Sequence, residues 1–294
     1  MRAGFITVVG RPNVGKSTLV NRLVGQKVAI VTPKPQTTRN RILAIRNTPD
    51  AQLVFYDTPG IHKPHYEMDR NLLETAVATL KRVDVVLLLI DIEQPFGRGD
   101  EHVLGLIKKV ESPVVLGINK IDARNKREIL PVIENYRHLH EFADIVPFSA
   151  LTGDNIDRLE TVLVEHLPES EPLYPQETLT DLPERFFIAE MVREKILRLT
   201  HQEIPHSTAV VIDKWEETPT LTRIEVSILV ERDSQKAILV GKACAMMKKV
   251  GTAARQDAEK FLATKIYLGL HVKVRSDWRN NKRTLTELNL DSIQ

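Results

Sequence analysis

The stretch Gly10-Arg11-Pro12-Asn13-Val14-Gly15-Lys16-Ser17 constrains this chain more than any other, because it joins a strand to a helix through a loop that few backbones can form. Before it, Phe5 to Val9 is a continuous apolar run of strand type, and after it a helical pattern begins. Glycines let successive backbone N–H groups curl around an anion, and the helix that follows adds unpaired N–H groups and the positive end of its dipole. A glycine-rich turn alone would explain Gly10 and Gly15 but not the Lys16-Ser17 pair behind them. The same rhythm continues. Apolar runs at Leu53 to Tyr56, Val85 to Ile90, Val114 to Ile118 and Ile145 to Phe148 alternate with helix-like stretches as far as about Leu167. Strand-helix alternation of this kind predicts an α/β unit with a mainly parallel sheet covered on both faces.

The loop fits the Walker A pattern, which cradles nucleotide phosphates, with Thr18 directly after it. Lys16 is expected to reach the β- and γ-phosphates and the Ser17 hydroxyl to ligate Mg²⁺. Three later segments choose between ATP and GTP. Asp57-Thr58-Pro59-Gly60 ends a strand, which places the Asp57 carboxylate beside the phosphate site and the Gly60 N–H where it can sense the γ-phosphate. On its own this tetrapeptide is an ordinary turn signal. Asn119-Lys120-Ile121-Asp122 follows Val114 to Ile118, and a carboxylate there accepts two hydrogen bonds from guanine N1 and N2 hydrogens, a pair adenine lacks. Leaving that carboxylate unpaired would cost about 1 to 3 kcal/mol or more, so Asp122 rejects adenine. The Lys120 stem can cover the base, Asn119 can tie the base loop to the phosphate loop, and Ser149-Ala150-Leu151 suits a backbone N–H that meets guanine O6.

Length and composition frame the remainder. At 294 residues the chain exceeds the usual single domain of roughly 100 to 200 residues, which predicts two cores. Its 42% hydrophobic and 27% charged content is that of an ordinary globular protein. Val85 to Ile90 is far shorter than the about 20 residues that span a bilayer, so no transmembrane segment is expected. A strand that begins by Gly4 leaves no room for a secretory signal, and the single cysteine, Cys244, cannot form an internal disulfide, which suits a reducing cytoplasm. Pro168 to Pro183, with four prolines and no periodicity, reads as a linker. The expected division is therefore 1–170, a linker at 171–183, and a second unit at 184–294.

The second unit reads as a helix at Glu184 to Leu199, strands at Thr208 to Glu216 and Leu221 to Arg232, and a strand-like run at Ala237 to Val240. Two short helices parted near Gly251 follow, then a strand at Leu270 to Val274. That order predicts a compact α+β fold. Between Ser234 and Arg283 twelve Lys or Arg residues face three acidic ones, a local +9 in a chain of net charge +2. Such a basic field suits a phosphate backbone or merely a solvated surface.

Taken in order, the four segments resemble the G-domain of the Ras-like GTPases over about residues 1 to 170. The resemblance implies a switch-loop threonine that ligates Mg²⁺ and closes over the γ-phosphate, here Thr38 or its neighbour Thr37 within Gln36-Thr37-Thr38-Arg39. Lys16, Thr38 and Gly60 form the implied catalytic set, with Ser17, Thr38 and Asp57 on Mg²⁺. Many small GTPases carry a water-orienting glutamine where this chain has Ile61, so another group must position the water. Members with asparagine at the position of Asn13 can bind K⁺ beside the phosphates; otherwise Asn13 serves only a tight turn.

Leu239-Val240-Gly241-Lys242-Ala243-Cys244-Ala245-Met246-Met247 resembles the signature of a KH domain, whose Gly-x-x-Gly loop clamps single-stranded nucleotides, with Cys244 in place of the second glycine. Lys248 and Lys249 follow, and Gly241, Lys242, Ala243, Cys244, Lys248 and Lys249 are the candidate RNA contacts. A G-domain followed by a KH-like domain, together with Lys273-Val274-Arg275-Ser276-Asp277-Trp278-Arg279, resembles the Era family over the whole chain. The resemblance implies GTP or GDP as ligand, binding to small-subunit ribosomal RNA and the small ribosomal subunit during assembly, action as a monomer, and peripheral contact with the inner membrane in some bacteria. Two rival readings are an assembly or tRNA-modification GTPase whose second domain binds protein or tRNA, and a nucleotide-gated RNA-binding module that does not hydrolyse.

Overall fold

The computed structural model describes residues 1–290. All seven residues of strand Val85–Asp91 are buried, which is what a continuous apolar run produces when helices cover both faces of a sheet. Six strands make this sheet: β1 (Arg2–Gly10), β2 (Ile42–Asn47), β3 (Ala51–Asp57), β4 (Val85–Asp91), β5 (Val114–Asn119) and β6 (Asp144–Pro147), in the spatial order β2-β3-β1-β4-β5-β6. β1 pairs in parallel with β3 and β4, and β5 in parallel with β4 and β6. Helices α1 (Lys16–Val24), α2 (Glu67–Leu80), α3 (Arg98–Ile107), α4 (Lys126–Arg137) and α5 (Ile156–Glu165) cross between them.

β2 corrects the sequence reading, which assigned no strand there. It runs antiparallel to β3 through a tight turn in which Thr48 N donates to Ala51 O at 2.8 Å and Ala51 N to Thr48 Oγ1 at 3.0 Å. Pro49-Asp50 supplies the turn chemistry, so the signal was present but short. The C-terminal ends of β1, β3 and β5 open on one rim, the usual ligand edge of a parallel sheet.

The C-terminal unit comprises α6 (Glu184–Leu199), a short α7 (Ile204–Ser207), β7 (Ala209–Glu217), β8 (Thr222–Val230), α8 (Asp233–Val240), α9 (Ala245–Leu262), β9 (Ile266–Val274) and α10 (Lys282–Glu287). β8 is the middle strand, antiparallel to β7 and parallel to β9. Two expectations fail here. Ala237 to Val240 is the end of helix α8, not a strand-like run; four apolar residues are too few to distinguish the periods. Gly251 does not separate two helices but lies inside α9, where a Cβ would come within 3.3 Å of Leu270 Cδ1. The helix break sits earlier, at Gly241.

The proline-rich stretch is no free tether. Leu179 O accepts from Ile45 N at 2.8 Å, and the buried Gln52 amide binds Leu173 N, Tyr174 N and Tyr174 O at 2.7 to 2.9 Å, so the stretch lies along β2. A mixed core joins the units: Met68 and Leu72 of α2 pack with Ala209, Leu229, Leu285, Leu290 and the fully buried Trp278.

Candidate nucleotide and nucleic-acid sites

The loop after β1 turns through Gly10 and Gly15. Gly15 has φ 102, and a Cβ there would lie 2.2 Å from the Asn119 amide nitrogen, so both backbone and space require glycine. Val14 is buried beneath the loop. Lys16 starts α1 and is 6% exposed; its Nζ donates to the carbonyls of Gly10 at 3.2 Å and Arg11 at 3.0 Å. Burial lowers its pKa to about 8 while Asp57 resists the shift, so an anionic ligand in the loop would be held by a cation already freed of most of its water. Arg11 itself turns away to pair with Asp100 at 2.8 Å. Thr18 lines a cleft of about 350 Å³ together with Pro12, Ser17 and Gly60.

Ser17 Oγ donates to Asp57 Oδ2 at 2.6 Å and lies 2.8 Å from Thr38 Oγ1, which is 3.3 Å from the same carboxylate oxygen. Asp57 is fully buried, burial raises its pKa, and its Oδ1 has no partner among the described residues. An orphaned buried carboxylate oxygen is costly unless a cation takes it. Two hydroxyls and that carboxylate are hard oxygen donors of the kind Mg²⁺ prefers, so the residues fit the ion. Thr37 faces elsewhere, its hydroxyl bonded to Thr32 Oγ1 at 2.8 Å and Lys34 O at 2.7 Å.

Thr58 Oγ1 donates to Val8 O at 2.8 Å, and Pro59 is buried beside it. Gly60 lies against Pro12, where an added Cβ would sit 3.0 Å from the Pro12 backbone. Ile61 is 2% exposed in the sheet's core, and it has no polar group to offer a water. Beside it, His62 Nδ1 lies 2.9 Å from Gly60 O and its Nε2 lies 2.8 Å from Gln36 Nε2. Asp69, which bonds Gln36 at 3.0 Å, raises the His62 pKa.

At the other end of the rim, Asn119 Nδ2 donates to Val14 O at 2.7 Å, and its Oδ1 accepts from Lys120 N at 2.8 Å and Ala150 N at 2.9 Å. One amide thus ties three loops together. Ser149 Oγ donates to Asp122 Oδ1, leaving Asp122 exposed at the rim with acceptor capacity to spare. Leu151 is 70% exposed. Two residues absent from the sequence reading support this end. Asp91 holds Lys120 Nζ at 2.6 Å, and Arg22 Nε donates to Ala150 O at 2.6 Å. Asp91 was legible as a carboxylate ending a strand on the same rim; Arg22 carries no such signal. Asn13 is left-handed at φ 65, and its Nδ2 donates to Pro33 O at 2.8 Å.

In the C-terminal unit, Gly241, Lys242, Ala243 and Cys244 form an exposed turn between α8 and α9. Gly241 has φ 71, and Ala243 and Cys244 are both left-handed at φ 50 and 59. Met247 packs into the core. Lys242 lies in the turn, Lys236 on α8 before it and Lys248 and Lys249 on α9 after it, all exposed and without an ion pair among the described residues. Other members of the basic run are neutralised: Arg275 by Glu287, Arg279 by Glu231 and Lys273 by Asp213. Lys260 and Lys265, farther along the chain, are likewise exposed and without an ion pair among the described residues, so the free charge of the +9 segment lies near this turn and past the far end of α9. A left-handed backbone costs a residue with a side chain roughly 1 to 2 kcal/mol. Replacing Cys244 by glycine is expected to remove most of that strain and to tighten binding of a single-stranded RNA oligonucleotide in a filter assay. An unchanged affinity would show that the cysteine side chain does not hold the backbone away from phosphate.

A parallel sheet with a phosphate loop, a metal-ready carboxylate and a guanine-type base loop, joined to a KH-type unit, defines a P-loop GTPase with an RNA-binding appendage. The family described as 50S ribosome-binding GTPase matches residues 5–120, and the KH domain family matches residues 203–279. The GTPase Era of Rippkaea orientalis is 47% identical over 288 residues, 97% of this chain and 91% of that one. The GTPase Era of Geobacter metallireducens is 46% identical over 289 residues, 98% and 97% of the two chains. Among solved structures, a tyrosine-to-alanine variant of Aquifex aeolicus Era bound to GDP and aluminium fluoride is 40% identical, with TM-score 0.95 over 99% of this chain and 100% of that chain. An Era structure with MgGDPNP and nucleotides 1506–1542 of 16S ribosomal RNA is also 40% identical, with TM-score 0.96 over 99% of each chain. The chain belongs to the Era family of GTPases.

Proposed function

We propose that this protein binds and hydrolyses GTP and uses the nucleotide state to control its grip on small-subunit ribosomal RNA during ribosome assembly. The observation that carries the reading is one rim with two chemistries: Ser17, Thr38 and Asp57 converge at its phosphate end, and Asp122, backed by Ser149, stands at its base end. Lys16 and the loop backbone from Gly10 to Thr18 take the phosphates, and Ser17, Thr38 and Asp57 take Mg²⁺. The ion would neutralise phosphate charge as the terminal phosphoryl group is attacked by water. Asn119, Lys120 and Asp122 take the base with Ser149, Ala150 and Leu151. Lys16, Thr38 and the Gly60 N–H face the γ-phosphate.

The RNA reading rests on the exposed turn Gly241 to Cys244 and its unpaired lysines, and on the relative solved with a 16S fragment. The units proposed are 1–170, 171–183 and 184–294, the last four residues lying outside the described part. The similarity to Era proteins over nearly the whole chain favours this reading over a tRNA-modification GTPase or a non-hydrolysing module. The protein is taken to act as a monomer in the cytoplasm; no described helix is long and apolar enough to cross a membrane, so contact with the inner membrane would be peripheral.

The test is the affinity for an RNA oligonucleotide from the 3′ end of 16S ribosomal RNA, measured with a GTP analogue and with GDP. A coupling of about 5-fold or more is expected. Identical affinities would refute the switch. A second proposal concerns Asn13: if its remaining amide oxygen helps to hold K⁺ beside the phosphates, turnover in KCl should exceed that in NaCl, and equal rates would exclude it.

A further inference from the structure

The segment that carries Thr38 is gripped by the C-terminal unit at several points. Arg193 of α6, 3% exposed, donates to Thr37 O. Arg198 donates to Val31 O at 2.8 Å, and Val31 N donates to Glu194 at 3.4 Å. Arg39 makes three further contacts. Its Nη1 donates to Thr208 O at 2.7 Å, and its Nη2 to His206 O at 3.0 Å and Pro205 O at 3.4 Å, so three main-chain carbonyls ring one guanidinium. Trp278 closes the ring, with its centroid 5.8 Å from Arg39 Cζ and its indole N–H donating to Ser207 O at 2.9 Å.

This placement is expensive. Arg39 is 4% exposed and lies near the equally buried Arg193, and among the described residues it has no ion-paired carboxylate and its Nε has no partner. A well-packed apolar residue would commonly serve stability as well or better at such a buried site. What a leucine could not do is lock direction. Arg39 directly follows Thr38, whose Cα is only about 3.8 Å away, so a fixed guanidinium fixes the peptide that aims the Thr38 hydroxyl. Helix α2, which follows the Asp57 to Gly60 segment, meets the chain that begins at Trp278. Arg279 lies 3.7 Å over the Tyr66 ring, Asn280 Oδ1 accepts from Glu67 N at 3.1 Å, and Asn71 donates to Leu290 O at 3.0 Å.

We propose that Arg39 is a positioning residue for GTP hydrolysis, acting through Thr38, and that its carbonyl ring around Trp278 is where the RNA-binding unit reads the nucleotide. This deepens the GTPase-switch reading and rests on it. Thr38 is aimed at the metal only while the ring holds Arg39. Loss of the γ-phosphate frees Thr38 and thereby loosens the ring.

The chain has two tryptophans, so Trp215→Phe leaves Trp278 as the sole indole reporter in the full-length protein. In that background the emission of Trp278 should differ between GDP and a non-hydrolysable GTP analogue. Arg39→Ala should lower kcat on the order of 10- to 100-fold, the scale of an ångström-sized misplacement, with little change in KM. It should also abolish the nucleotide-dependent emission change. Arg39→Lys should recover part of kcat, because an ammonium can still donate to some of the carbonyls. Arg193→Ala, which leaves the ring intact, should lower kcat less and shrink the emission change. If Arg39→Ala fails to fold, as judged by its melting curve, Arg39→Lys and Arg193→Ala carry the test. Wild-type kcat, or a full emission change, in the folded variants overturns the proposal even where thermal stability has dropped. Failure of the parent reading is separate: the Trp215→Phe background would then itself hydrolyse no GTP.

Discussion

Replacing Lys16 by alanine is expected to lower kcat for GTP hydrolysis by about 1000-fold, the upper range for removing one preorganised charge donor from developing phosphate charge. The expectation follows from where the ammonium sits. It is 6% exposed, held by the carbonyls of Gly10 and Arg11, and lowered in pKa to about 8 by burial, so its water has largely been removed before any phosphate arrives. An alanine leaves the loop glycines and the α1 N-terminus intact, so some phosphate affinity should survive. Multiple-turnover hydrolysis is the measurement that decides. A variant that kept even a tenth of wild-type turnover would show that charge neutralisation lies mainly elsewhere.

The second large effect is one of specificity. Asp122 stands exposed at the base end of the rim, with one carboxylate oxygen accepting from Ser149. Guanine offers that carboxylate two donors, whereas an asparagine at the same place would offer one acceptor and one donor. Asp122→Asn should therefore weaken GTP binding by about 2 to 3 kcal/mol, on the order of 100-fold, since a hydrogen bond to a charged group is lost and an amino group meets another donor. A base with a carbonyl in place of the 2-amino group satisfies the amide, so xanthosine triphosphate should bind the variant better than GTP does. Competition binding with the two nucleotides reads this directly, and an unchanged preference for GTP would place guanine recognition on other groups.

The phosphate and base segments were legible because each is contiguous: Gly10 to Ser17, Asp57 to Gly60, Asn119 to Asp122. Their chemistry is written along the chain, and the parallel sheet brings their ends to one rim. β2 was missed because six residues ending in Arg46-Asn47 do not alternate cleanly, and pairing with β3 rather than pattern makes it a strand. α8 was misread for the same reason of length. The break in the RNA-side helices was misplaced because Gly251 serves a close approach to Leu270, whereas the real break needs the positive φ of Gly241. The contacts of Arg39 and Arg193 lie beyond any sequence signal. They join residues more than 150 positions apart through main-chain carbonyls, which have no letter in the sequence.

The stretch from Pro168 to Pro183 also changes what the protein shows to its neighbours in solution. β2 is the terminal strand of its sheet, and an uncovered terminal strand offers a row of N–H and carbonyl groups to any extended chain that comes near. Leu179, Gln176 and Tyr174 occupy or flank that row. Proteolytic nicking or loosening of this stretch would therefore do more than lengthen a connection: it would uncover an adhesive border, and the damaged molecules would be prone to stick to one another long before either core had melted.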